Sequence, residues 1–308
     1  MKIMRSIEQL PDQVFSVLTI GKFDGLHRGH QTLIDKTVSL TSDLSEASNG
    51  KELIPVVLAF DMSAIMILSS EERRRRLEQS GISLLIEQPF DPSVITMEAE
   101  DFIKDILVGK LHIKAIVIGE GFRFGYGRRG DAVLLKKMGS EYGFDVVVMP
   151  QLMEAGERIS SSRIRSLLKE GKIEEVNACL GYSFYITGKI IHGRRIGRTI
   201  GVPTANLIAD PSKLMPPNGV YMSHSTVGGR DFYGVTNVGT KPTVDGHFIG
   251  VETCFFNCDE DLYGSDLSVK LLRFTRPERK FDSLEQLKEQ IRNDQQTARE
   301  YFHLKIGT

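Results

Sequence analysis

Tryptophan is absent from the sequence, and cysteine occurs only as Cys179, Cys254 and Cys258. Three cysteines do not make a disulfide framework. No further histidine or cysteine stands at zinc-ligand spacing from Cys254 and Cys258. We therefore expect reduced thiols, which are typical of cytoplasmic proteins.

Long apolar runs and an excess of one charge are absent as well. No run approaches the roughly 18 apolar residues of a membrane span, and the N-terminal segment lacks the apolar core of a signal peptide. The net charge of −1 gives no basic field for nucleic acid. We expect a cytoplasmic protein with neither a nucleic-acid nor a membrane partner. Its 308 residues, 41% apolar and 26% charged, fit about two globular domains.

In the first half, short apolar runs alternate with helical patterns. Strands are predicted at 14–20, 53–60, 82–86, 115–119 and 144–149, and helices at 31–42, 71–80, 99–110 and 131–142. Apolar strands separated by helices favour an α/β fold with a parallel sheet, in which ligands bind at the carboxyl ends of the strands. Residues 41–51 are predicted to form a loop, and the arginine run 73–76 is interpreted as a solvated helix face.

The segment G-K-F-D-G-L-H-R-G-H at 21–30 joins the first of these strands to the first helix. Its glycines allow close backbone approach to a ligand, and the first amides of the helix suit a phosphate. His27 and His30 are three residues apart, so they share one face of the first turn. Two imidazoles beside free amides can bind a polyphosphate and stabilise charge that grows on it. The alternative is a plain turn with two surface histidines.

Two later segments have a related character. The glycine-rich loop at 119–131 carries Phe122 and Phe124, which either pack on a flat ligand or anchor the loop to the core. The sequence I-S-S-S-R-I-R at 159–165 has serines suited to capping a helix start and arginines on its first turn.

From residue 183 the patterns become short, strand-like and separated by glycine turns. Strands are predicted at 184–192, 205–207, 219–227, 231–238, 250–256 and 268–274, which favours an antiparallel barrel or sandwich. A serine-capped amphipathic helix is predicted at 283–294. The basic, glycine-rich loop at 192–203 suits a nucleotide diphosphate, and Thr204 and Asn206 offer hard oxygen ligands for Mg²⁺. An ordinary basic surface loop is the alternative.

These segments, in this order, resemble the bacterial riboflavin kinase/FMN adenylyltransferase (FAD synthetase) family. The resemblance rests on 21–30, 119–131 and 159–165 in the first half, and on G-R-R-I-G-R-T-I-G-V-P-T-A-N at 193–206 with the later V-E-T at 251–253 in the second. It implies a Rossmann-like nucleotidyltransferase domain at 1–182 and a flavokinase barrel with a C-terminal helix at 183–308. The implied substrates are riboflavin, FMN and ATP, with Mg²⁺ as cofactor.

The resemblance also implies roles for single residues. His27, His30 and Glu252 would be catalytic, with Glu252 as general base, and Thr204 and Asn206 would ligate the metal. Tyr221 and Arg276 would join the two phenylalanines in flavin binding. The nucleotide-binding residues would be Gly21, Phe23, Asp24, Gly25, Ser160, Ser161, Ser162, Arg165, Gly193, Arg195, Gly197, Arg198, Pro203 and Thr204.

Two positions depart from the family pattern. A His-Pro pair is missing from residues 60–64, and Gly121 replaces a polar Asn or Asp. Three functions stay open on the sequence: a bifunctional enzyme, a riboflavin kinase whose first domain has lost catalysis, and a flavin-binding regulatory protein.

Overall fold

The structure is a computed structural model that describes residues 1–10, 14–47, 52–61, 65–191, 204–243, 246–258 and 264–303. The chain divides into two compact units, Met1–Ser161 and Ser162–Thr308. The domain boundary that we expect at 182–183 stays a prediction. In the described part of the chain, no helix is both long and apolar enough to cross a membrane.

The first unit contains a six-stranded sheet. Its strands are β1 (Lys2–Met4), β2 (Phe15–Gly21), β3 (Leu53–Asp61), β4 (Leu84–Pro89), β5 (Ile113–Gly119) and β6 (Asp145–Met149). They lie in the order β1-β4-β3-β2-β5-β6, and every neighbouring pair is parallel. The chain runs outward from β2 through β3 and β4 and then returns to β5 on the other side. The carboxyl end of β2 is therefore a switch point, where open parallel sheets bind ligands.

Helices connect these strands. They are α1 (Arg28–Ala47), α2 (Ser70–Gln79), α3 (Pro92–Ile95), α4 (Ala99–Asp101) with a π-helix at Phe102–Lys110, and α5 (Ala132–Tyr142). Asp131 caps α5, because its carboxylate accepts hydrogen bonds from the backbone N–H groups of Val133 and Leu134, both at 3.0 Å. The predicted parallel α/β architecture is confirmed.

The predicted loop at 41–51 is wrong for residues 41–47, because α1 continues to Ala47. Hydroxyl groups that would favour a loop are satisfied inside the helix. Thr41 donates to the carbonyl of Thr37 at 2.7 Å, and Thr37 donates to that of Leu33 at 2.7 Å. Back-bonding of this kind removes the competition between a hydroxyl and the helix backbone.

The interpretation of the arginine run as a solvated face is wrong for Arg73. Its side chain is 1% exposed and bonds Glu87 of β4, also 1% exposed, at 2.9 Å. Arg74 bonds both carboxylate oxygens of Glu87. Burial alone would raise the pKa of Glu87, but hydrogen bonds and charge from Arg74 and Arg73 outweigh it and lower the pKa. A buried carboxylate fourteen residues away thus draws the arginines inward.

The second unit begins with two helices and continues as an antiparallel sheet. The helices are α6 (Ser161–Lys169) and α7 (Ile173–Leu180), and the strands are β9 (Tyr185–Lys189), β10 (Ala205–Ile208), β11 (Gly219–Val227), β12 (Arg230–Thr243), β13 (Gly246–Phe255) and β14 (Asp266–Pro277). The order is β10-β13-β12-β11-β14-β9. A bridge between Ile191 and Asn206 joins the two ends of the sheet, so it closes toward a barrel.

The chain then forms α8 (Leu284–Tyr301). Ser283 caps this helix, since its hydroxyl accepts from the N–H of Gln286 at 3.2 Å. The serine-capped helix that the sequence predicts is confirmed, and it extends beyond the predicted end at 294.

Candidate active sites

The turn after β2 is held in a strained backbone conformation. Phe23, Gly25 and Leu26 have positive φ angles of 50°, 81° and 40°. Phe23 and Leu26 are buried and anchor the turn, with 0% and 2% of their surfaces exposed. Non-glycine residues with positive φ persist only where their surroundings enforce them, and they concentrate at functional sites.

Asp24 fixes this turn to its surroundings. Its carboxylate accepts a hydrogen bond from the backbone N–H of Ile67 at 2.7 Å. The hydroxyl of Ser161 donates to the Asp24 carbonyl at 2.8 Å. Gly25 packs under Ile67, which a Cβ at this position would meet at 3.0 Å. The start of the serine motif and the first turn, predicted as parts of one site, therefore lie together in the first unit.

The rings of His27 and His30 are stacked, with centroids 3.7 Å apart and planes at 18°. The backbone N–H of His30 donates to Nδ1 of His27 at 3.3 Å. The same N–H donates more closely to the His27 carbonyl, at 2.7 Å. A neutral imidazole has one N–H donor and one acceptor nitrogen, so each ring brings one donor to the amino end of α1.

Both imidazoles are neutral at pH 7. Burial, followed by the charge of Arg158, lowers the pKa of His27 to about 4. Burial and the neighbouring His27 lower the pKa of His30 well below its ordinary value. The pair thus presents hydrogen-bond donors without a fixed positive charge.

A hairpin that the sequence analysis missed stands beside this turn. It consists of β7 (Met153–Glu154) and β8 (Glu157–Arg158), joined by Ala155 and Gly156 with φ angles of 51° and 80°. Glu154 forms an ion pair with Arg28 at the start of α1. The sequence signal for it is Gly156 between two short polar segments, because tight hairpin turns need residues that accept a positive φ.

Phe122 and Phe124 of the glycine-rich loop pack against the core. Phe124 is 8% exposed and packs on Phe102, with ring centroids 5.7 Å apart. Phe122 stacks on Phe124 at 5.6 Å and 17°. A Cβ at Gly130 would lie 2.7 Å from the Phe124 ring, so this glycine makes room for it. Of the two alternatives for these residues, the structure favours core anchoring, while Phe122 stays partly accessible.

The remaining residues of the serine motif lie around the start of α6. Ser160 immediately precedes the helix, and Ser162 and Arg165 lie in its first turns. Ser160 and Arg165 are half-buried, whereas Ser162 is exposed.

In the second unit, three polar side chains form one row across neighbouring strands. Asn206 of β10 lies directly opposite Glu252 of β13, and Glu252 lies opposite Asn237 of β12. Residues paired in this way point to the same face, with Cβ atoms about 5 Å apart. The side-chain amide of Asn206 donates to the carbonyl oxygen of Thr204 at 3.2 Å and to its hydroxyl at 3.3 Å. The structure therefore brings the predicted metal ligands and the predicted base together.

Charged groups extend this row. The ammonium of Lys241 is 3.5 Å from Oε1 of Glu252. Asn237 donates to Oε1 of Glu278 at 3.0 Å. Neither Lys241 nor Glu278 is predicted as a site residue, because their proximity follows from strand pairing and not from spacing along the chain.

Tyr221 and Arg276 are occupied with structural contacts. Tyr221 is fully buried, its hydroxyl donates to the carbonyl of Pro217, and burial raises its pKa. Arg276 binds both carboxylate oxygens of Asp294 in α8, at 2.9 and 2.6 Å. The predicted nucleotide-binding residues Gly193, Arg195, Gly197, Arg198 and Pro203, and residues 62–64 of the missing His-Pro turn, lie outside the described residues.

Known protein families match both halves of the chain. A model described as FAD synthetase matches residues 10–163, and one described as riboflavin kinase matches residues 180–302. A bifunctional riboflavin kinase/FMN adenylyltransferase from Escherichia coli (strain K12) is 37% identical over 317 residues, which cover 99% of each chain. The chain belongs to the bifunctional riboflavin kinase/FMN adenylyltransferase family.

Further relatives agree with this family. The bifunctional riboflavin kinase/FMN adenylyltransferase of Listeria monocytogenes is 30% identical and covers 93% of this chain and 92% of its own. A solved structure named a macrolide-efflux protein, from Streptococcus pneumoniae, has a TM-score of 0.82 at 28% identity and covers 96% of this chain and 98% of that one. Its name concerns that protein, and its likeness supports the fold of both units.

The predicted bifunctional enzyme is thereby confirmed over a riboflavin kinase with an inactive first domain. Both family domains are present, and both depend on ATP and generally on a divalent metal. In the described part of the chain, no three side chains of His, Cys, Asp or Glu form a metal cluster.

Proposed function

We propose that the two reactions of this family occur at the two sites described above. The row of Thr204, Asn206 and Glu252 phosphorylates riboflavin to FMN, and the turn with His27 and His30 adenylylates FMN to FAD. The direct pairing of Asn206 with Glu252 across β10 and β13 is the observation that supports this most strongly. It places oxygen ligands beside a carboxylate, as transfer of a phosphoryl group to a hydroxyl requires.

In the kinase step, the Glu252 carboxylate accepts the proton of the riboflavin 5′-hydroxyl. The hydroxyl oxygen forms a bond to the γ-phosphorus of ATP as the bond from that phosphorus to ADP breaks. A half-exposed carboxylate on a strand is accessible to the substrate. The donor set fits Mg²⁺, because the Thr204 hydroxyl and the side-chain carbonyl of Asn206 are hard oxygen donors that the Asn206–Thr204 hydrogen bonds hold together. Mg²⁺ held by Thr204, Asn206 and phosphate oxygens would neutralise charge on the phosphates.

In the adenylyl transfer, a phosphate oxygen of FMN forms a bond to the α-phosphorus of ATP, and the bond to pyrophosphate breaks. No proton has to leave an alcohol, so the site needs donors and positioning more than a base. The neutral rings of His27 and His30 at the amino end of α1 supply such donors. Because both imidazoles are neutral, they place no fixed positive charge in the turn and donate hydrogen bonds to the phosphates once ATP and FMN bind.

Paired substitutions test the two-site assignment. The purified chain is given riboflavin, ATP and MgCl₂, and FMN and FAD are separated by chromatography. We expect Glu252→Gln to lower FMN formation by about 100-fold or more while FAD formation from added FMN persists. His30→Ala should lower FAD formation by about 100-fold and leave FMN formation intact.

Two controls accompany these variants. Glu285→Gln changes an exposed carboxylate of α8, and His112→Asn changes a histidine at the amino end of β5, opposite the ligand-binding edge. Asn tolerates the φ of 40° at position 112. Loss of both activities in either test variant, with the fold retained, would refute separate sites.

A further inference from the structure

Two glycines stand opposite each other in the barrel, one row away from Glu252. Gly239 of β12 pairs with Gly250 of β13, and Asn237 with Glu252 is the neighbouring pair on the same face. We call Gly239 and Gly250 the glycine shelf. Without side chains, these positions leave a bare patch of backbone, which other groups cover.

The stem of Lys241 covers one half of the glycine shelf. A Cβ at Gly250 would lie 3.0 Å from Cγ and 3.3 Å from Cε of Lys241, so the stem lies directly over this glycine. The Glu278 carboxylate covers the other half in the same manner, against Gly239. The contacts fix the direction of Lys241 along the strands toward Glu252.

The ammonium group of Lys241 ends beside the proposed base, 3.5 Å from Oε1 of Glu252. Asn237 is closer to Glu252 in the sheet, but its amide donates to Glu278. Among the residues that the structure describes, Lys241 is therefore the charged group that pairs with Glu252. The side chains of Lys241 and Glu252 are 32% and 40% exposed, and half-exposed pairs contribute little to stability. The ion pair therefore affects the orientation and charge of the Glu252 carboxylate more than it affects stability.

We propose that Lys241 is a positioning residue for the riboflavin kinase step and that the contact of its stem with Gly250 fixes its direction. Its ammonium group holds the Glu252 carboxylate in one orientation within the row. A carboxylate that must accept a proton during attack works only within hydrogen-bond reach of the hydroxyl. A free glutamate side chain samples several rotamers, and a cation fixed on the glycine shelf restricts them. This inference rests on the proposed function of Glu252.

Removal of the ammonium group is the first test. In Lys241→Met, kcat for FMN formation should fall by roughly 10-fold to 100-fold, as expected for a misplaced catalytic group. KM for riboflavin and for ATP should change by less than about threefold, because Lys241 acts on the base and not on substrate binding. Lys241→Arg should restore most of kcat. Lys270→Met, in β14 of the same barrel, is the matched control and should equal wild type.

Substitution of Gly250, which lies under the Lys241 stem, is the second test. Gly250→Ala places a methyl group against the Lys241 stem, so it should lower kcat in the same way. In the Lys241→Met background, where Met lacks the ammonium, Gly250→Ala should cause no further loss. Urea denaturation of every variant reports whether the barrel is folded, because FAD formation from added FMN depends on the other unit.

The outcomes separate this inference from the proposed function. FMN formation that survives Glu252→Gln would refute the role of Glu252 and with it the role of Lys241. An inactive Glu252→Gln together with a fully active Lys241→Met would overturn the positioning role alone. Failure of Lys241→Arg to exceed Lys241→Met, or fully additive losses from Gly250→Ala, would also overturn it. If Gly250→Ala does not fold, the methionine and arginine variants decide the question.

Discussion

The two sites that we propose for this chain differ in how they would bind and activate phosphates. The first is a strained turn at the end of a parallel strand, where the buried ring of His27 stacks on the half-buried ring of His30 and both are neutral. The second is a row of side chains on neighbouring antiparallel strands, where a half-exposed carboxylate pairs with a cation. The difference follows the chemistry of the nucleophile. A phosphate that already carries negative charge needs donors, whereas a hydroxyl needs a base.

The largest effect that would sharpen this comparison concerns Asn206. If the second site depends on cross-strand pairing, Asn206→Ala should lower FMN formation by about 100-fold, because it removes an oxygen donor next to Glu252. FAD formation from added FMN should not change. Ile208→Ala, at a 45% exposed position of the same strand, is the control. Equal losses in the two variants would show that β10 tolerates no change, and the specific role of Asn206 would be lost.

A buried ion pair stabilises the turn of the first site, and substitution of Arg73 tests its contribution. Its guanidinium bonds Glu87 and lies 3.5 Å from the Lys22 carbonyl of the turn. Arg73→Met leaves Glu87 with its other arginines but removes the fully buried partner, so we expect a loss of about 3 kcal/mol in the free energy of unfolding. Urea denaturation measures it. FAD formation should fall more than FMN formation.

Arg75→Met is the counterpart of that change in the same helix. Its ion pair with Glu71 is exposed on both sides, at 52% and 77%. Exposed pairs of this kind contribute less than about 1 kcal/mol. A similar loss of stability in both variants would indicate that helix α2 responds to any change of charge and not to the buried pair.

The neutral state of His27 gives the first site a specific pH dependence. Its pKa is about 4 in the folded protein against 6.5 ordinarily, so the unfolded chain binds more protons between these values. The contribution of His27 to stability is therefore complete above pH 6.5 and is lost as the pH falls toward 4. It amounts to at most about 3 kcal/mol.

A neutral substitute isolates this contribution. The difference in unfolding free energy between wild type and His27→Gln should shrink as the pH falls from 7 to 4, as measured by urea denaturation at each pH. Carboxylates that titrate in this range contribute equally to both proteins and cancel. A difference that stays constant with pH would mean that His27 is not desolvated in the folded state.

Local sequence patterns predicted much of this architecture, but they did not predict which side chains meet across the sheets. The alternation of apolar runs with helical segments placed β2, β3, β5 and α5 well, because each element is encoded in consecutive residues. The burial of Arg73 depends on Glu87, and the position of Lys241 depends on Gly250 in another strand. Neither neighbour is visible in local sequence, because the fold brings them together. The hairpin at 153–158 was missed since two-residue strands have no periodicity.

The smallest effect concerns Gly121, which stands where the family pattern has Asn or Asp. Gly121 has a φ of 83°, which Asn tolerates better than other residues with a side chain. A Cβ there would meet only Nε2 of Gln151, at an ordinary 3.7 Å. Gly121→Asn should therefore fold and change FAD formation by less than about threefold, because the Gln151 amide already lies beside this position.

Gly125 in the same loop provides the matched comparison for Gly121. Its φ of 71° is similar, but a Cβ would lie 2.7 Å from Ala99, so Gly125→Asn should destabilise the protein by more than about 2 kcal/mol. The two variants differ in available space and hardly in backbone conformation. A large gain in FAD formation from Gly121→Asn would mean that the first site lacks an amide that Gln151 does not replace. In that case the turn would bind its phosphates well and the flavin poorly, and the first site would be weaker than the second for a reason outside the histidine pair.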